Sequence, residues 1–174
     1  DDVTGDRYEY GMIYYRPAGP QDVEGALPDP DTGEVPQTYQ NGEIRVTNGS
    51  GQESYVVGSV DGAKSGRFGG IAGSLDKLND KNRLAGFMPL NSAGGVRRTQ
   101  FDLDSMTLTT NEMVIPISSQ VQIYSESTGG WYALGDDGSV EANLERALAF
   151  SNDMTVYYDR TPGEGGKVRV IVLE

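Results

Sequence analysis

The acidic side chains are the first candidates for chemistry, since the chain has no His and no Cys. That composition removes the commonest general base, the Ser-His-acid arrangement, any disulfide and any thiolate metal site. Asp102 and Asp104 are spaced to share one face of a strand, and paired carboxylates at a suitable separation run glycoside hydrolysis. A solvated acidic face accounts for them more simply. Asp29-Pro30-Asp31-Thr32-Gly33-Glu34 resembles the start of a calcium loop, with hard oxygen ligands around a Gly turn. Asp29, Asp31 and Glu34 are thus the candidate Ca2+ ligands, although Gln40 stands where the bidentate acid would complete the loop. Asp136-Asp137 forms a second acidic turn, and a plain acidic loop explains either stretch. Ser74-x-x-Lys77 has the spacing of a serine–lysine acylase pair, but its companion motifs are absent and Ser74 reads better as a helix cap. There is no phosphate-binding loop and no Gly-x-Ser-x-Gly.

Aromatic residues offer a second chemistry. Trp131, the single tryptophan, follows Gly129-Gly130 and precedes Tyr132. On a strand, one of the pair points in and one out. An outward ring would stack on a sugar, and an inward one would fill the core. Tyr157 and Tyr158 divide in the same way, so Trp131, Tyr132 and Tyr157 are the candidate carbohydrate platform. Asn48-Gly49-Ser50 fits an N-glycosylation acceptor and equally a tight turn.

These residues must be positioned by strands. Gly is abundant at 24 residues, the apolar fraction is only 36%, and several runs alternate with a period of two. Met154, Val156 and Tyr158 share one face of a run that a Pro/Gly loop joins to Lys167–Leu173. In that return strand Val168, Val170 and Val172 point one way and Arg169, Ile171 and Leu173 the other. Its end is apolar on both faces, which predicts a central or covered strand. Arg7–Arg16 is a further strand, with Tyr8, Tyr10, Met12 and Tyr14 on one face. Residues 17–39 form a Pro-rich surface loop. Glu43–Thr47 and Glu53–Val60 make a hairpin around Asn48-Gly49, a turn whose residues tolerate positive φ. The Gly-rich stretch 62–73 suits close packing, and Ser74–Leu78 suits a single helical turn. Pro116 belongs at an edge or a bulge. Ser139 caps a helix over 140–150 with an apolar stripe of Val140, Leu144, Ala147 and Leu148, and Asn152 is its left-handed stop.

The expected fold is therefore mainly β, an antiparallel small barrel or sandwich with one or two short helices. The chain is expected to form either one compact domain or two lobes, residues 1–92 with the Pro-rich loop and residues 93–174 with the short helix, divided near the flexible stretch Asn91–Gly95. Gly42–Val46 echoes Gly166–Val170, as duplicated lobes or chance would produce. The start at Asp1 suggests a mature form or a piece of something longer, and no signal peptide is seen.

Residues Ile115, Ser119–Tyr124, Leu144–Leu148, Met154–Asp159 and Lys167–Val172, with Tyr10–Ile13 and the Asn48–Val57 hairpin, are similar in pattern to β modules of large bacterial cell-surface proteins. Those that carry S-layer homology repeats are the nearest likeness, although the wall-anchoring repeat itself is absent. The resemblance implies an extracellular, non-catalytic structural or adhesive module at the bacterial cell surface, with other surface proteins or cell-wall glycans as partners. A carbohydrate-binding module is the second reading. The net charge of −12 repels phosphate backbones and anionic membranes, so nucleic acid is excluded as a partner. No run is long enough to insert in a membrane. No cofactor is expected beyond Ca2+.

Overall fold

The computed structural model describes residues 5–73, 84–133 and 140–174. The Ser74–Leu78 turn, the Ser74/Lys77 pair, Asp136-Asp137 and the Ser139 cap lie outside the described residues. The fold is mainly β, as expected, with a single α-helix among the described residues.

The first half builds a five-stranded antiparallel sheet. Its strands are β1 (Glu9–Arg16), β4 (Gly42–Asn48), β5 (Gly51–Val57), β6 (Phe68–Gly73) and β7 (Leu84–Pro89), in the order β5-β4-β1-β6-β7. The Pro-rich stretch is not all loop. It contains β2 (Gly19–Asp22) and β3 (Gln37–Gln40), which pair with each other as a separate ribbon. Alternation drives the sheet: Ile13, Ile44, Val46 and Ile71 are buried together, with Tyr15, Tyr55 and Phe87 packed around them. The hairpin joining β4 to β5 is tight, but its positive φ falls on Gly51 rather than on Asn48 or Gly49. Asn48 holds the turn with its side chain: Oδ1 accepts from Ser50 N, and Nδ2 donates to Tyr10 O and Glu9 Oε2. A buried amide committed in this way ties the hairpin to β1 and is not free to carry a glycan.

The second half contains β8 (Asn91–Val96), β9 (Phe101–Asp102), β10 (Thr107–Thr109), β11 (Val114–Ser125), β12 (Gly130–Trp131), β13 (Met154–Tyr158) and β14 (Val168–Leu173). Their order is β8-β13-β14-β11-β10-β9, with β12 beside β11. The covered strand anticipated at the C-terminal end is β14, every residue of which is buried. It pairs antiparallel with β13 but parallel with β11. A parallel neighbour needs a crossover, and α1 (Val140–Phe150) lies in the chain between them. Leu144, Ala147 and Leu148 of the expected stripe are buried against Ile115, Ile123, Val156 and Ile171, with Val140 at the rim. The stop differs from expectation: Asn152 is not left-handed, and it accepts from Arg98 N and from the Arg97 guanidinium instead.

Asn91–Gly95 is likewise no flexible break. It is strand β8 against β13, and Leu90 alone separates it from β7. The echoing stretches sit on β4 and β14, inner strands of different sheets. β4 has antiparallel neighbours on both sides and β14 does not, so the echo stops short of topology.

Candidate functional site between the two sheets

Strict alternation fails at one point in β14, and the candidate site is built there. Tyr157 pairs with Val170, and the next residue, Tyr158, pairs with Val168. Arg169 is the extra residue of a β-bulge, which re-aims side chains locally. Val168 consequently packs with Ile171 and Leu173, while Val170 and Val172 face the first sheet. The expected grouping of Val168 with Val170 and Val172 is corrected by this bulge. β11 loses register at the same level: Ile117 pairs with Val168, but Gln122 pairs with Val170. Pro116, which cannot donate to a ladder, immediately precedes this irregularity.

The bulge turns Arg169 toward β1. Its guanidinium lies 5.0 Å from the centre of the Tyr10 ring. Nη1 donates to Asp6 at 2.9 Å and Nη2 to Asp159 at 3.1 Å. Lys167 Nζ also donates to Asp6, at 3.1 Å. The Arg169 and Asp159 side chains are 5% and 1% exposed. A charge buried so deeply is tolerated only when paired and hydrogen-bonded. Asp159 Oδ1 in addition accepts from Arg160 N and Lys167 N, so one carboxylate closes the β13–β14 loop and neutralises Arg169. Arg169 Nε is buried without a partner among the described residues. The clasp joins residues 163 positions apart. Burial pushes the Tyr10 phenol above its ordinary range, so it stays neutral, and its hydroxyl donates to Gly5 O.

Hydrogen bonds from Arg169 and then Lys167 hold the Asp6 carboxyl below its ordinary value. A carboxyl depressed in the folded state adds stability that is complete above its unfolded value and is lost as pH falls through the folded one. The wild-type melting temperature should therefore fall more steeply below about pH 4 than that of Asp6→Asn. Near neutrality the two should differ by only about 1 kcal/mol or less, because the Asp6 side chain is 63% exposed. Melting curves across that range, with parallel slopes as the contrary result, check this.

Beside the clasp lies an aromatic cluster. Phe68 of β6 meets Tyr157 at 4.8 Å between ring centres, Trp131 at 5.9 Å and Tyr124 at 5.9 Å, and Tyr124 meets Trp131 at 4.9 Å. Tyr8, Met88 and Leu90 pack on the same cluster. Two of the three sequence candidates, Trp131 and Tyr157, thus come together, but half-buried between sheets rather than as an open strip. Tyr132 is separated from them and packs against the core beneath α1. Neither Trp131 nor Tyr132 points fully outward.

No family model, curated protein or solved structure matches this chain.

Two of the acidic candidates, Asp29 and Asp102, are committed to local turns. Asp29 Oδ1 accepts from Asp31 N at 2.8 Å and Thr32 N at 3.4 Å. Among the described residues no three His, Cys, Asp or Glu side chains are grouped to hold a metal ion. The strand carrying Asp102 ends there, so Asp102 and Asp104 do not alternate along it as expected. Asp102 Oδ1 accepts from Asp104 N and Ser105 N in the turn to β10. No helix among the described residues is long and apolar enough to cross a membrane. Sequence reasoning misses Asp6, Asp159, Arg169 and Phe68. A signal for Arg169 exists: a strand read as covered has an arginine inside it, which requires a buried partner.

Proposed function

We propose that this chain is a non-catalytic, extracellular structural or adhesive module of a larger bacterial surface protein. One observation supports the reading above others: the side chains best suited to act on a ligand are committed to internal packing, ion pairing or local turns. Arg169 and Asp159 form the clasp, Trp131 and Tyr157 fill the seam, and Asp29 and Asp102 fold their own turns. A rigid two-sheet body suits a load-bearing or spacing role. The ribbon β2–β3 suits adhesion. Its strand β3 exposes Tyr39, the segment connecting β2 to β3 exposes Val23 and Leu27, and residues 17–44 contain acids but no Lys or Arg. A neighbouring surface protein with a basic, partly apolar face would complement it.

Two measurements test the reading. Antibody raised to this chain should label intact, unpermeabilised cells of the source bacterium, and labelling seen only after lysis would end the proposal. Incubation with glycan and peptide panels should give no turnover. A hydrolysis rate that disappears in Asp102→Asn, which keeps the Oδ1 needed for the turn, would show catalysis instead.

A further inference from the structure

We propose that the cleft beside the clasp binds a single neutral sugar ring. The two irregularities in β11 and β14 lie at one level, and the sheets part there to leave a space of about 170 Å³. Tyr8, Glu9 and Tyr10 form one wall, and Ser118, Ser119, Gln120 and Gln122 form the other. Asp6, Lys167 and Arg169 close the end.

The polar atoms are not all used. Gln122 is only 4% exposed. Its Oε1 accepts from Gly49 N at 2.9 Å, but its Nε2 makes no hydrogen bond among the described residues. That nitrogen is not sealed from solvent, so an acceptor placed in the cleft can take its hydrogen bond in place of water. Glu9 is complementary: Oε2 takes the Asn48 amide at 3.1 Å, and Oε1 is without a donor among the described residues. Asn48 and Gly49 are adjacent, so the hairpin tip holds this acceptor and this donor at one place. The tip has no freedom to shift, since a Cβ on Gly49 would stand 2.0 Å from Tyr132 O.

A donor beside an acceptor matches neighbouring hydroxyls, each of which gives and takes a hydrogen bond. Two acids, Asp6 and Glu9, face two bases, Lys167 and Arg169, so the walls favour neither an anion nor a cation. The partly buried Tyr8 ring, 6.0 Å from the buried Tyr10 ring, supplies an apolar surface for the C–H face of a ring. The volume corresponds to about five or six waters and falls below that of a drug-sized pocket, which limits the occupant to one ring.

The inference goes beyond the structural role proposed above, and its failure would leave that role standing. The test is a titration of the isotope-labelled full chain with methyl glucoside, methyl galactoside, methyl mannoside and N-acetylglucosamine, read at the Gln122 side-chain amide. At least one sugar is expected to move that signal in the millimolar range. Gln122→Glu keeps the acceptor for Gly49 N and removes the donor, and should weaken binding by about tenfold or more. Glu9→Gln should weaken it similarly and serves as the deciding variant if Gln122→Glu does not fold. Silence of the Gln122 amide with all four sugars, or an affinity unchanged in the folded variants, overturns the proposal.

Discussion

Replacing Arg169 with methionine is expected to destabilise the protein by about 3–5 kcal/mol, the cost of leaving a buried charge without its partner. Methionine fills much of the same space, so the loss reports the Asp159 carboxylate, whose side chain is 1% exposed, rather than a cavity. Tyr10 also loses the cation over its ring. Two further results separate this account from general damage. Adding Asp159→Asn should recover much of the loss, because Asn Oδ1 still accepts from Arg160 N and Lys167 N while the charge is gone. The deficit of the single variant should also shrink on acidification. An orphaned buried carboxylate has its pKa raised in the folded state, so protonation favours the fold. Urea unfolding measures all three. A single-variant loss below about 1 kcal/mol, the range of an exposed pair, would mean that the clasp is not buried as described.

The same arginine shows how far the sequence can be read. Period-two alternation locates β13 and β14 and the covered nature of β14, and period 3.6 locates α1. Both patterns are local, and hydrophobic burial enforces them residue by residue. Alternation carries no warning of a bulge, so Val168, on the far side of Arg169 from the rest of β14, is expected on the wrong face. The arginine is a sign of trouble that a purely periodic reading passes over. The parallel pairing of β14 with β11 is hidden for another reason: it depends on a crossover whose geometry is tertiary. The seam is less legible still. Phe68, Tyr124, Trp131 and Tyr157 come from four strands in two sheets, and nothing local in any one of them indicates the others. Trp131 and Tyr157 can be nominated by type, but Phe68, which joins them, stands in a glycine-rich stretch that reads only as close packing.

Phe68→Ala is accordingly the sharpest probe of that seam. Truncating a well-packed Phe costs about 3–5 kcal/mol, and Phe68 is half-buried, so a loss of about 3 kcal/mol is expected. Removal of its ring takes away contacts with three aromatic partners at once, and these belong to the opposite sheet. Trp131, the chain's single tryptophan, reports the event directly: its fluorescence should shift to the red as water reaches the gap, and the near-ultraviolet dichroism of the packed rings should weaken while the far-ultraviolet signal persists. A platform reading gives the contrary result. If Trp131 and Tyr157 were presented to solvent for sugar stacking, losing Phe68 would leave the emission of Trp131 nearly unchanged and cost under about 1 kcal/mol. The comparison also governs how Trp131→Ala must be interpreted. In a seam, that substitution weakens the joint between the sheets, so any loss of glycan binding it causes counts as recognition only if Phe68→Ala, equally disruptive to the joint, leaves binding intact.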